Sequence, residues 1–205
     1  MLEQAALTSI SSLEKLRQGA REVFVEQGYH NTRPQDIARR SGVARGTFYI
    51  HFADKKEAFL DFAEQAQGEL LAEYSARIEG VSGRRERWGV ICNTVIDFAI
   101  DNPGLLQAAF LDPVFIAPSD ENAWRLYDRM GHFLDLALND SDNMAAPEYD
   151  TELISHALCG LLRQAMVYAS RKKLDRKKMI DDLSLFIDRG LGLDQEVNST
   201  PNNRN

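Results

Sequence analysis

Between Thr32 and Lys56 two short helical patterns stand on either side of one glycine, in the run TRPQDIARRSGVARGTFYIHFADKK. Ile37 and Ala38 supply the apolar side of the first helix. Ser41-Gly42-Val43 turns the chain, because Gly42 can take the positive φ that a side chain resists. The second helix, predicted from Ala44 to His51, has only Phe48 and Phe52 to face a core, four apart and so one above the other. At ~100° per residue, Gly46, Tyr49 and Ile50 point the opposite way, with Arg45, Thr47 and His51 flanking the buried stripe. A helix this short is unstable alone. Its polar and aromatic outer face is therefore best explained by something that it touches. The arrangement is that of a helix-turn-helix, whose second helix enters the major groove of DNA.

The pattern D-I-A-x-x-x-G-V-x-x-G-T-F-Y-x-H-F-x-x-K, Asp36 to Lys55, resembles the DNA-binding module of the TetR (tetracycline-repressor-like) transcriptional regulators. The likeness extends back through Leu13 to Gly28 in helical spacing and covers roughly the first quarter of the chain. For the remainder the resemblance implies a helical, dimeric, ligand-sensing domain. The expected fold is all-α, with about nine helices: a three-helix DNA-binding domain over 1–54, a ligand-binding and dimerisation domain over 55–193, and a disordered tail over 194–205.

Composition agrees with this and narrows the alternatives. A chain of 205 residues with 44% hydrophobic content has an ample core. No basic and apolar leader opens it, and no run approaches the ~18 apolar residues that a membrane helix requires. Two cysteines, Cys92 and Cys159, far apart in sequence, suit a reducing cytoplasm and read as buried thiols. Net charge is −7, yet residues 28–56 carry six basic side chains against two acidic. A basic face on an acidic body favours docking on a polyanion by that face.

Along the chain, helix one is predicted from a capping box at Ser11-Ser12-Leu13-Glu14 to Gly28, behind a frayed segment 1–10. The helix after it is capped either by Thr32, in a T-x-x-Q box, or by Arg33 with Pro34 as its first residue. Asp54-Lys55-Lys56-Glu57 opens a long helix to Ile78 that couples the two domains. Further helices are predicted over 84–101, from Pro103, over 119–138, 149–172 and 176–191, with an irregular piece between Pro113 and Pro118 and a loop over 141–147.

Arg45 opens the recognition helix, where the helix dipole disfavours a cation, and a residue that breaks a local rule often serves a function. It reads as a guanine or phosphate contact. Gly46 lets the backbone come close to DNA, Tyr49 packs along the phosphates, Thr47 reaches a phosphate or a base, and His51 and Lys55 are phosphate clamps. Thr32, Arg33 and Gln35 are placed for backbone contacts, with capping as the plainer role of Thr32. Ile50, where relatives often carry an aromatic or polar residue, can contact a thymine methyl.

In the second domain Ile154, Leu158, Leu161, Ala165 and Tyr168 form one stripe, widened by Leu153, Ala157, Leu162 and Met166, and Ile180, Leu183, Ile187 and Leu191 form another, with Met179 and Phe186 beside it. These helices are apolar over so much of their circumference that they need two burial partners, and the resemblance implies that one is a second subunit. The aromatic residues Trp88, Phe98, Phe110, Phe115, Trp124, Tyr127 and Tyr168 permit an apolar pocket among helices, although any one of them is ordinarily core. The histidines lack metal-ligand spacing, and no nucleophile elbow or phosphate loop is present, so neither an enzyme, a metal nor a cofactor is expected. The sequence reads as a cytoplasmic dimeric regulator, a repressor released from a palindromic double-stranded operator by a small, largely apolar effector. The alternative is a DNA-bound interaction protein whose second domain binds another protein.

Overall fold

Gly28 ends the first helix with φ 72° and ψ 171°, a backbone conformation that a side chain would strain. The computed structural model describes residues 2–82, 84–111, 121–138 and 150–191, and every element among them is helical. The order is α1 (Leu2–Asn31, kinked at Gly28), α2 (Pro34–Arg40), α3 (Arg45–His51), α4 (Lys55–Ile78), α5 (Arg84–Asp101), a π turn (Gln107–Leu111), α6 (Glu121–Leu138), α7 (Thr151–Lys172) and α8 (Arg176–Leu191). The fold is all-α, as expected. One expectation fails at the start. α1 begins at Leu2 rather than Ser11, because the run LEQAALTSI holds no glycine or proline and Ala, Leu, Glu and Gln propagate a helix already formed. The expected loop at 141–147, the piece around Pro113 and Pro118, and the tail lie outside the described residues.

Helix starts follow local chemistry. Asp54 Oδ1 accepts from the Glu57 N–H at 2.9 Å, while Glu57 reaches back to the Ala53 N–H at 2.6 Å. Asp150 and Asp175 do the same for α7 and α8, accepting from the Leu153 and Lys178 N–H groups. The caps at 150 and 175 are simple acceptors set one turn ahead of an apolar run.

The packing divides into two units, one of residues 1–72 and 97–129, the other of 73–96 and 130–205. In the first, Leu16, Ala20, Val23 and Phe24 of α1 are buried together with Ile37, Phe48, Phe52 and the α4 residues Phe59, Phe62 and Ala66. Phe24 meets Phe59 edge-on at 5.1 Å and Phe62 at 5.4 Å. Such aromatic pairs add to area burial because ring edges and faces carry opposite partial charge. Two inter-helix ion pairs, Arg17–Asp61 and Arg21–Glu69, tie α1 to α4.

The second unit is built on Tyr74, Trp88, Ile91, Cys92, Leu134, Leu158 and Ile187. Tyr74 meets Phe133 edge-on at 4.5 Å. Burial pushes the Tyr74 phenol up in pKa, against the pull of the nearby Arg87 guanidinium. Among the described residues no helix is long and apolar enough to cross a membrane.

Candidate nucleic-acid interface

α3 is held by its two neighbours, and small residues set how closely they approach. A Cβ on Gly19 in α1 would lie 3.0 Å from the Ser41 amide nitrogen and 3.2 Å from the Ile37 carbonyl oxygen, so only glycine lets the end of α2 rest on α1. Ser41 Oγ donates to the Ile37 carbonyl at 2.7 Å, and Gly42 then turns the chain with φ 66°. The Val43 N–H returns to the Ala38 carbonyl at 3.1 Å, which seats the start of α3 against α2. Phe48 is fully buried and is the one core anchor of α3.

With Phe48 inward, the opposite side of α3 is open. Tyr49 is 47% exposed and Ile50 76%. A Cβ on Gly46 would meet nothing within 4 Å. Arg45 is exposed at the head of the helix, and its guanidinium has no ion pair or hydrogen bond among the described residues. The same holds for the side chains of Arg33 and Gln35, exposed at the start of α2. Thr47 is half-buried at the flank. Exposed apolar, aromatic and cationic groups are thus brought to one surface of a seven-residue helix.

Other residues of the sequence reading are placed differently. Thr32 is 1% exposed, and its hydroxyl donates to the Gly28 carbonyl at 2.7 Å, tying the start of α2 to the end of α1. The open choice of cap resolves to Arg33, followed by Pro34; the Arg33 N–H donates to Asp36 Oδ2 at 3.1 Å. His51 Nε2 and Ser12 Oγ share a hydrogen bond of 2.7 Å, which pins the end of α3 to α1. Lys55 Nζ donates to the Tyr29 carbonyl at 2.8 Å and lies 4.2 Å from the centroid of the Tyr29 ring.

The basic residues counted from the sequence are also not equivalent. Arg39 pairs with Asp36, and Arg40 with both Glu22 and Glu26 of α1. Glu22 is held below the usual carboxylate range first by Gln18 and then by Arg40, Glu26 by Arg40. Glu26, Asp36, Arg39 and Arg40 line an open cleft of about 250 Å³ beside α2, and their charges neutralise one another. Gly19 and Tyr29 have no role in the sequence reading, and Ser12 has only that of a helix cap. Of the first two only Gly19 carries a signal, since a glycine inside a helix costs ~1 kcal/mol against alanine and asks for a packing reason.

In the second unit Leu158 and Ile187 are buried, with Ile154, Leu161, Ile180 and Leu191 packed against them. Ala165 and Leu183 are half-buried on the same sides of their helices. The exposed apolar side chains of α7 and α8 are instead Leu153, Val167, Tyr168, Leu185 and Phe186. Of the aromatic set, Trp88 is buried in the core of this unit and Tyr168 is exposed. In the first unit Phe98 is buried, and Trp124 lies 6.1 Å from Tyr127, ring to ring. The Phe110 side chain and Phe115 lie outside the described residues. Trp88 Nε1, Thr94 Oγ1 and Ser155 Oγ are buried in the second unit without a hydrogen-bond partner among the described residues.

Residues 16–61 match the family model of bacterial regulatory proteins, tetR family. The chain is 30% identical over 106 residues to an uncharacterized HTH-type transcriptional regulator, YvdT, of Bacillus subtilis (strain 168), covering 52% of this chain and 50% of the relative. It is 28% identical over 70 residues to the fatty acid metabolism regulator protein of the same organism, covering 34% and 36%. These matches therefore span half or less of the relatives' length. Among solved structures, a transcriptional regulator FadR from Bacillus subtilis in complex with stearoyl-CoA superposes with a TM-score of 0.70 at 17% identity, over 84% of this chain and 95% of that one. At that identity the likeness shows the fold alone.

Proposed function

By its first domain this chain belongs to the tetR family of bacterial regulatory proteins, and from that premise we propose that the protein is a cytoplasmic, dimeric transcriptional repressor released from DNA by a small, largely apolar effector. The observation that carries the DNA-binding part is the outer face of α3, where Arg45, Gly46, Tyr49 and Ile50 are exposed around one buried phenylalanine. Arg33 and Gln35, exposed at the start of α2, are proposed to contact the DNA backbone beside it, and Thr47 flanks the α3 face. Arg45 and Arg33, without side-chain partners among the described residues, supply cations for phosphate or guanine. His51 and Lys55 hold the three-helix unit together in this reading, and Thr32 joins α1 to α2.

A single seven-residue helix reads few base pairs, so specific binding calls for two copies. Two recognition helices in successive major grooves, ~34–36 Å apart, fit a palindromic operator. The second copy is proposed to cover the exposed side of α7 and α8. Leu153 and Tyr168 fall on one face of α7 at helical spacing, and Leu185 and Phe186 are exposed on α8; Leu153 and Phe186 are each 65% exposed. The inner stripes through Leu158 and Ile187 serve the core.

The effector is proposed to enter the second unit. Buried in it without hydrogen-bond partners among the described residues are the Trp88 indole N–H, a pure donor in the apolar core, and the hydroxyls of Thr94 and Ser155. Such groups suit a hydrocarbon ligand that presents a hydrogen-bond acceptor. A long-chain acyl thioester is the first compound to test, given the named relatives. It must bind the DNA-incompetent form more tightly, since equal affinity for both forms shifts nothing. Its influence would travel along α4, which contributes residues to both units.

The test is capture and sequencing of genomic fragments by the purified protein, beside a Gly46→Glu/Tyr49→Ala variant. Both positions are open, so the variant is expected to fold. One palindromic motif, lost in the variant, supports the reading. Enrichment without a motif, unchanged in the variant, sinks specific recognition by α3.

A further inference from the structure

On the regulator reading above, α3 carries one feature that cations and hydrogen bonds leave unused. Among the described residues Ile50 is the most exposed of the large hydrophobic side chains, at 76%, on a helix whose other outward residues are glycine, tyrosine and arginine. Gly46 precedes it by four residues, so the two share one face, diametrically across the helix from buried Phe48. A helical side chain lies back over the turn that precedes it. Ile50 therefore leans toward the position where Gly46 has no side chain, and an added Cβ there would meet nothing within 4 Å. A shelf of bare backbone beside a branched aliphatic chain admits something small and apolar. Arg45 on the same helix, and Arg33 at the start of α2, are exposed cations without a side-chain partner among the described residues, so the partner is also polyanionic. DNA is such a polyanion, and the small apolar group in its major groove is the C5-methyl of thymine, the one apolar projection of the base edges.

We propose that Ile50 and the bare backbone at Gly46 together seat the C5-methyl of a single thymine in each operator half-site. The recognition is steric and apolar: cytosine at that place carries hydrogen where thymine carries methyl. Exchanging thymine for uracil removes that methyl and leaves every hydrogen-bonding group of the base in place.

The experiment uses the full chain and a duplex selected from a random pool by its binding. Each thymine of the duplex is replaced in turn by deoxyuridine, and affinity is measured at one fixed salt concentration for the native protein, Ile50→Ala and Gly46→Ala. Ile50 is exposed, so its truncation leaves the core intact, which an unchanged thermal melt verifies. The expected result is one symmetry-related pair of thymines at which uracil weakens native binding ~4-fold per half-site, the worth of one buried methyl-sized group. Ile50→Ala binds thymine and uracil duplexes alike. Gly46→Ala, with the shelf filled, also loses the distinction. If no thymine responds, or Ile50→Ala responds as the native protein does, the inference is overturned while DNA binding stands. If selection yields no preferred duplex, the regulator reading falls with it.

Discussion

Lys55, the first residue of α4, donates its ammonium to the Tyr29 carbonyl at 2.8 Å and stands 4.2 Å over the ring of the same tyrosine. This clasp joins the residue just after the Gly28 kink to the first residue of α4, so it ties the end of α1 to the segment that leaves the recognition helix. A charged hydrogen bond and a cation–π contact on a half-buried lysine together contribute about 1–2 kcal/mol. Lys55→Met is expected to lower the stability of the DNA-binding unit by that amount in urea unfolding. The salt dependence of DNA affinity is expected to stay unchanged, whereas Arg33→Ala reduces its slope by about one.

Gly19 is the second structural lock. Its replacement by alanine places a methyl group against the Ser41 amide and the Ile37 carbonyl, backbone atoms that cannot turn aside. Gly19→Ala is expected to destabilise the unit by about 1–3 kcal/mol despite raising helix propensity. Differential scanning calorimetry of the full chain checks it; a rise in melting temperature would refute the close contact of α1 with α2.

Two arginines six residues apart are expected to behave differently. Arg45 has no partner among the described residues, and Arg39 is paired with Asp36 at 2.9 Å. Arg45→Ala is expected to cost about 1–3 kcal/mol of operator affinity and to relax preference at one base pair. Arg39→Ala is expected to change affinity within the ±0.5 kcal/mol of an ordinary surface substitution. Competition binding against single-base operator variants separates the two.

The two sides of α7 and α8 should also part company on mutation. Phe186→Glu combined with Leu153→Glu is expected to leave the fold intact and convert a dimer to monomer in sedimentation equilibrium. Leu158→Ala, in the buried cluster, is expected to cost about 2–5 kcal/mol of stability. Loss of folding in the glutamate pair, with no monomer, would place that face in the core of one subunit.

Cys159 provides a pH test. Desolvation pushes its thiol up to about 11. A pKa raised above its unfolded value contributes stability below that value and loses it as pH climbs toward the folded one. Stability is therefore expected to fall between about pH 9 and pH 11 from this group, and Cys159→Ser is expected to flatten that slope. Native protein should resist iodoacetamide at pH 8 at this position, because the thiolate is the reactive form.

Much of the first unit was legible because its signals are local. Gly42 and the box at Asp54–Glu57 act within four residues and give the turn and helix start expected, Phe48 and Phe52 are both buried as their spacing implies, and Pro34 opens α2 in one of the two ways the sequence allows. The start of α1 was misread for the opposite reason: Ser11-Ser12 has the chemistry of a cap, but a cap is needed only where a helix begins. Ser12 faces His51 instead, a partner 39 residues away.

From sequence alone came the all-α class, the two short helices with a positive-φ glycine between them, and which side of α3 points outward. These follow from backbone conformational limits and from the helical period, which every residue carries by itself. Tertiary structure alone decided which arginines are available, because Arg40 is occupied by Glu22 and Glu26, 18 and 14 residues away on another helix. It likewise decided which side of α7 and α8 is core. A helix apolar around most of its girth has no inward direction of its own, and only the neighbours against which Leu158 and Ile187 pack give it one.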